Sequence, residues 1–362
     1  MVSMPNTTNE VASSRVPSEQ VRPSRQGGLS RWWTRSAGLA LLGVVVVAAA
    51  MLSIAVGAKP MALSQVLDAV FGYDPSVEDH LIVRELRVPR TVLALAVGAA
   101  LGLAGAVMQG VTRNPLADPG LLGVNAGAAL GVVTAIGVFG VTAASGYVWF
   151  AFVGAAGAGL VVYTLGSVGR GGATPVKLAI AGAAMSALLG SFTAAMLLLD
   201  SATLDQYRFW AVGSVAGRDL GVAQAVAPFL VVGTVLAIGS SRALNGLALG
   251  EDVARSLGQR VGWVRAIAAG SIVLLCGAAT AAVGPVWFVG LTVPHVARAI
   301  TGPDHRWLLP YAMLLGAALL TIADVIGRVV VRPGELEVGI VTAFLGAPVF
   351  IAFVRRRQIA EL

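Results

Sequence analysis

The sequence predicts an all-α polytopic membrane protein with about ten transmembrane helices, and three observations carry that prediction. Hydrophobic side chains make up 57% of the 362 residues and charged ones only 12%, whereas a globular domain in water carries about 25% charged residues. The mean hydropathy is +0.82. Apolar runs of about 20 residues, each long enough to cross the hydrocarbon core as a helix, recur from residue 37 to residue 354 with only short polar breaks between them.

Taken in order, residues 1–36 are rich in Ser, Pro and Arg (Arg15, Arg22, Arg25, Arg31 and Arg35) and lack apolar periodicity, which reads as a disordered cytoplasmic tail. This segment is too long for a signal peptide, and Ala37–Val56 is span-length, so the first membrane helix starts there. The predicted spans are 37–57, 90–111, 119–140, 146–167, 177–200, 221–240, 263–284, 286–301, 306–330 and 337–355, followed by a short cytoplasmic tail at 356–362. With the N-terminus inside, 17 of the 25 Lys and Arg residues fall on the cytoplasmic side, as the positive-inside rule requires. The span at 286–301 is short, contains Pro294 and follows Gly284-Pro285, a weak place for a continuous helix. Segment 203–218, with Tyr207, Phe209 and Trp210, is too short to cross and belongs at the outer interface. Glycines at Gly98 and Gly102, and at Gly123, Gly127 and Gly131, stand four apart and predict close helix–helix contact.

Composition also excludes several functions. The net charge of +7 and pI near 10.3 come from basic residues scattered singly in loops, which is a topological pattern and not a nucleic-acid-binding stripe. Cys276 is the only cysteine, so there is no intramolecular disulfide, and His80, His295 and His305 lack ligand spacing, so no metal site or other cofactor is expected. Lys59 and Lys177 are the only lysines and neither follows a glycine, so no Walker A loop exists and energy must come from a partner or an ion gradient. Asp200 and Asp324 lie near span ends, and Asp324 stands four residues before Arg328, the spacing of an ion pair. No acid is expected at mid-span, where a secondary transporter would need one.

The longest inner loop, 241–262, holds a candidate helix at 249–258. Leu249, Val253 and Leu257 share one face, Glu251 and Asp252 occupy the first turn, Arg255 follows, and Gly258 is placed to end the helix.

The most specific stretch is Arg87-Val-Pro-Arg90-Thr-Val, followed by Gly105-Ala-Val-Met-Gln109-Gly-Val-Thr-Arg113-Asn114-Pro115-Leu116-Ala-Asp118-Pro119-Gly120-Leu-Leu-Gly123. Further along come Leu249-Gly-Glu-Asp-Val-Ala-Arg-Ser-Leu-Gly258, Gly290-Leu-Thr-Val-Pro-His-Val-Ala-Arg298, Asp304-His-Arg306, Ala323-Asp324-Val-Ile-Gly-Arg328 and Gly339-Ile-Val-Thr-Ala-Phe-Leu-Gly-Ala-Pro348. This ordered series, covering about residues 60 to 355, resembles the FecCD family, the permeases of ATP-binding-cassette importers for iron-siderophore complexes, cobalamin and haem.

The resemblance implies a bacterial cell-membrane permease with both termini in the cytoplasm, paired with a second permease copy, which is either identical or a paralogue. Leu249, Glu251, Asp252, Val253, Arg255, Leu257 and Gly258 would form the coupling helix docked in a cleft of an ATPase subunit, and that subunit would hold ATP and Mg. Arg87, Arg90 and Arg328 would pair with acidic residues on the lobes of an extracytoplasmic substrate-binding protein; lipid-snorkelling anchors are the plainer alternative for them. Asn114, Leu116, Thr174 and Val176 would form the cytoplasmic gate, although Thr174-Pro175-Val176 is less polar than the family's usual gate. Glu337 stands where the family usually has Pro. Ferric siderophore is the implied cargo, with cobalamin or haem behind it and an ion-coupled secondary transporter as the competing class.

Overall fold

A computed structural model describes residues 26–57, 59–169 and 174–355, all of it helix and connection. The helices are α1 (Gln26–Ala55), α2 (Leu63–Phe71), α3 (Glu78–Leu81), α4 (Val88–Thr112), α5 (Val124–Gly137), α6 (Ala144–Ser167), α7 (Pro175–Leu199) and α8 (Ser201–Ala211), then α9 (Leu220–Gly239), α10 (Ser241–Ala248), α11 (Glu251–Ser256), α12 (Val261–Val283), α13 (Val289–Thr301), α14 (His305–Val330) and α15 (Val338–Arg355). The helix α1 begins ten residues before the expected tail boundary at 36. The Trp32-Trp33 pair carries it outward, and Trp32 sets its ring edge-on to Trp307 at 6.4 Å. The rest of the expected tail, residues 1–25, and the expected C-terminal tail at 356–362 lie outside the described residues.

Each of the ten expected spans contains a helix, but three of those helices fall short of a full crossing. Seven helical segments are long and apolar enough to cross unaided, while Val124–Gly137 and Val338–Ala352 are shorter apolar pieces. The third is α13, whose 13 residues cover about 20 Å against a hydrocarbon core of about 30 Å. The break before it falls at the expected Gly284-Pro285. There α12 stops at Val283, Gly284 takes φ 83°, and Phe288 takes φ 68° before α13 begins. The freed backbone is not wasted, because the Val283 carbonyl accepts from Ser214 N at 2.7 Å, which pins the link after α8 to the broken segment.

The axis of the fold is α4, which packs against α12, α13 and α14. With α3 and a π-helical turn at Ile82–Arg87 it runs on as one 35-residue helix. The wide turn lies just where Pro89 would otherwise clash with a carbonyl one turn back, so the turn relieves the proline instead of breaking the helix. Close approach depends on glycine: a Cβ on Gly98 would strike the Gly316 carbonyl, one on Gly102 the Ala312 carbonyl, and one on Gly105 the backbone of Gly290. The Gly127 and Gly131 stripe packs on α6 in the same way, against Gly154 and Phe150. Its predicted third member, Gly123, instead takes φ 73° and caps the start of α5.

The chain between α4 and α5 dips back into the bundle. Pro119 lies against Gly290, which faces the Leu101 carbonyl inside α4. Asp118 lies on this return. It is partly buried, and its carboxylate caps the 3₁₀ turn Pro119–Leu122 by accepting from Gly120 N at 2.7 Å.

Candidate functional site: a projecting helix and a buried charge cluster

At one end of the bundle, α10 and α11 project from the connection between α9 and α12. Two glycines in the left-handed region frame α11, Gly250 (φ 107°) before it and Gly258 (φ 82°) after it, and the latter is the predicted stop. Ala254 is fully buried underneath, while Leu249, Val253 and Leu257 are 65%, 44% and 65% exposed. The helix is shorter than the expected 249–258, because Leu249 ends α10 and stands before Gly250, outside α11; the three side chains are exposed, with no cover among the described residues. Glu251 anchors it through an ion pair with the buried Arg265 of α12 and a second, at 3.1 Å, with Arg255. Asp252 pairs with Arg255 at 3.4 Å and is otherwise fully solvated. A short helix of six residues cannot hold its own shape in water, so these ties to α12 and α10 set its orientation.

A second tie was not legible in advance. Asn245 of α10 donates to Asp304 at 2.7 Å and accepts from His305 N at 2.8 Å, so α10 is clamped to the start of α14. Only spatial proximity reveals this pairing, since the partners are about sixty residues apart.

The proposed gate residues lie at the same end. Asn114 follows Arg113, which adopts φ 49°, and its side chain accepts from Leu116 N at 2.9 Å, an Asx turn that leaves Leu116 exposed. His295 of α13 lies beside the Pro115 carbonyl of this loop. Behind it, Arg298 donates to Gln109 at 3.4 Å and Gln109 to the Leu291 carbonyl at 3.1 Å. Thr174 caps α7 by accepting from Lys177 N at 3.4 Å, and Val176 in the first turn is exposed. The two gate segments are therefore each held by their own local hydrogen bonds.

At the opposite end, Arg87, Arg90 and Arg328 converge, but inward. Arg87 donates to the carbonyls of Ile54, Ala55 and Lys59 at 2.9, 2.7 and 2.6 Å, closing the C-terminus of α1 with a cation. Arg328 is buried. It donates to the Ser53 carbonyl at 2.7 Å, to the Val56 carbonyl at 3.1 Å and to the Ser53 hydroxyl at 2.9 Å. Asp324, also fully buried, lies between two guanidiniums: the predicted ion pair with Arg328 forms, and Arg90 binds the same carboxylate through Nε and Nη2 at 3.0 and 2.8 Å. Arg90 then reaches Glu335 at 2.6 Å. The three arginines thus spend their charge on the protein itself, while Lys59, Glu78, Arg84, Glu85, Arg332 and Glu335 are exposed at this end. Sequence alone could not find this, because charge counts locate an arginine on a side of the membrane but not the carbonyls that receive it.

Comparison with known proteins then places the chain. The FecCD transport family model matches residues 45–356. The ferric enterobactin transport system permease protein FepD of Escherichia coli (strain K12) is 48% identical over 325 residues, covering 90% of this chain and 96% of that protein. The probable siderophore transport system permease protein YfiZ of Bacillus subtilis (strain 168) is 39% identical over 318 residues, covering 88% and 95%. Among solved structures, an inward-facing conformation of a metal-chelate type ABC transporter superposes with a TM-score of 0.78 at 28% identity, covering 89% of this chain and 99% of that one. The glycine-stitched helix pairs, the broken α12–α13 segment and the projecting α11 therefore belong to a member of the FecCD transport family of membrane permeases.

Proposed function

We propose that the chain is the membrane permease of an ATP-driven importer for ferric siderophores. The observation that carries this reading is α11, a short helix tied to α12 by Glu251–Arg265, with Leu249 just before it and Val253 and Leu257 exposed and nothing among the described residues to cover them. Such a face suits a helix-in-groove contact with a separate ATPase subunit, where ATP and Mg would reside. Identity of 48% to a ferric enterobactin permease supports the cargo class.

In this reading the α10–α11 end is cytoplasmic. Both described chain ends point the same way: Tyr311 of α14 donates to the Arg35 carbonyl of α1 at 2.7 Å near that end, and α15 also finishes there. Two permease copies, identical or paralogous, enclose the path, and two ATPase subunits grip the two copies of α11. Closure of the ATPases swings the permeases, and the loops at Asn114–Leu116 and Thr174–Val176 open or shut the inner mouth. A substrate-binding protein docks on the outer rim. There Arg90 and Glu335 lie nearest the surface, while Arg87 and Arg328 brace the rim from within.

The test is uptake of iron-loaded siderophore into vesicles that contain the permease with its ATPase and binding protein. The expected result is accumulation that requires ATP inside the ATPase compartment. Preferential uptake of cobalamin or haem would reassign the cargo. Accumulation driven by a sodium or proton gradient without nucleotide would overturn the reading.

A further inference from the structure

A recess of about 450 Å³ opens between α5, α7, α8 and the broken link from α12 to α13. Its walls are chemically distinct from the rest of the surface. Tyr207, Trp210 and Trp287 supply three aromatic rings, and Asn125, Ser186 and Gly190 supply small or polar edges, with no charged side chain among the lining residues. A larger cavity of about 620 Å³ between α5, α6 and α7, by contrast, is lined almost wholly by apolar groups.

The recess is held in shape by its own backbone. Gly213 and Gly284, both at positive φ, bring the Pro285 and Trp210 carbonyls closer than any Cβ would permit. Tyr207 and Trp210 stack obliquely at 5.8 Å. The Asn125 carbonyl accepts the Thr280 hydroxyl at 2.9 Å, which turns its amide nitrogen toward Gly120, another lining residue. Trp210 is 2% exposed, and its indole N–H has no hydrogen-bond partner among the described residues. A buried indole N–H ordinarily finds an acceptor. The neighbouring side of α7 is small or hydroxylated at Ser186, Gly190 and Thr193, whereas its other exposed side carries Ile180, Leu188 and Phe192. The second side suits lipid, and the first suits the close approach of another group.

We infer that this recess is a subsite for one aromatic arm of the transported chelate: a flat, uncharged aryl group stacked against Tyr207 and Trp287, whose oxygen acceptor takes the amide N–H of Asn125. The inference rests on the importer reading above. The volume holds a ring with its amide or hydroxyl but not a whole ferric chelate, so the metal centre stays outside it. Chelates built from alkyl hydroxamates carry no such ring and gain nothing from the recess.

Gly190 allows a test, because it lines the recess and a Cβ there meets nothing within 4 Å, so a larger side chain is placed to occupy the recess. Gly157 is equally open but borders the other cavity, so it serves as the control. Purified permease–ATPase complex in lipid nanodiscs is titrated with salicylamide and, separately, with acetohydroxamic acid, using ligand-observed NMR. Salicylamide should bind the native complex and the Gly157→Leu variant alike, and should bind Gly190→Leu about tenfold more weakly; acetohydroxamic acid should show no difference among the three. Equal salicylamide binding by native and Gly190→Leu, loss in Gly157→Leu instead, or no binding to the native complex would each overturn the inference. Fragment binding needs no nucleotide, so a failure of ATP-driven uptake would be recorded independently of this result.

Discussion

Replacing Asp324 with Asn should destabilise the protein more than any other single change at the outer rim. The carboxylate is fully buried between Arg328 and Arg90, and Asn keeps its shape while removing its charge. Arg90 retains Glu335 at 2.6 Å. Arg328 keeps only the two carbonyls and one hydroxyl of the α1 terminus, so one buried guanidinium is left without a counter-charge. Breaking a buried ion pair from one side costs about 3–5 kcal/mol. The remaining acceptors hold the figure near 3 kcal/mol, or roughly a hundredfold in the folding equilibrium. Equilibrium unfolding in mixed micelles of dodecyl maltoside and SDS, followed by circular dichroism, measures it. The double variant Asp324→Leu with Arg328→Met removes both charges and should recover most of the loss. A shift below about 1 kcal/mol for Asp324→Asn would refute the buried-pair reasoning.

Three other perturbations follow from the same geometry. Leu257→Asp alters a residue exposed to 65%, so the permease should fold normally, yet the lost apolar contact of about 1.5–3 kcal/mol should abolish co-purification of the ATPase and ATP-driven uptake; retained uptake would remove α11 from the coupling role. Gly105→Ala drives a methyl into the backbone of Gly290 and should prevent stable expression, whereas Gly190→Ala meets open space and should be neutral or gain up to about 1 kcal/mol from helix propensity, with thermal melting of the purified variants as the measure. Hydrogen bonds from the Thr203 hydroxyl and then from Ala202 N hold the Asp200 carboxyl below its usual range. Its cap on α8 is therefore fully present above the ordinary carboxylate pKa and is lost as pH falls through the lowered folded value. Amide exchange in α8 should accelerate only in that acid window, and Asp200→Asn should erase the acid dependence.

Hydrophobic run length placed a helix in each of the ten expected spans, because burial in lipid selects for it directly. Run length alone does not tell a full crossing from a half helix; at α13 it was the Gly284-Pro285 join that marked the break. Local spacing was equally informative where the physics is local. The Gly258 stop and the Asp324–Arg328 pair depend on near neighbours in sequence and appear as read, and Val253 and Leu257 are exposed as their spacing implied. What sequence concealed is long-range: the α1 carbonyls that absorb Arg87 and Arg328, the Asn245–Asp304 clamp, and the return of Asp118 into the bundle. Each joins groups whose separation along the chain carries no pattern, or depends on a break in helix direction.

These long-range ties bear on how force from α11 could reach the opposite rim. The helix α14 is 26 residues long, about 39 Å, and is fastened at both ends, to α10 through Asp304 and His305 and to α1 and α4 through Asp324 and Arg328. Between those ends it touches α4 backbone to backbone at Gly98–Gly316 and Gly102–Ala312. A pair packed that closely cannot slide by a fraction of a turn without collision, since close-packed interfaces are discrete and not continuously deformable. By contrast, α7 has little of its surface buried within the chain and borders the aromatic recess. In the importer proposed above, a push on α11 would pass through α10, α14 and α4 as one closely packed unit, and α7, with little of its surface buried within the chain, is where a path would open.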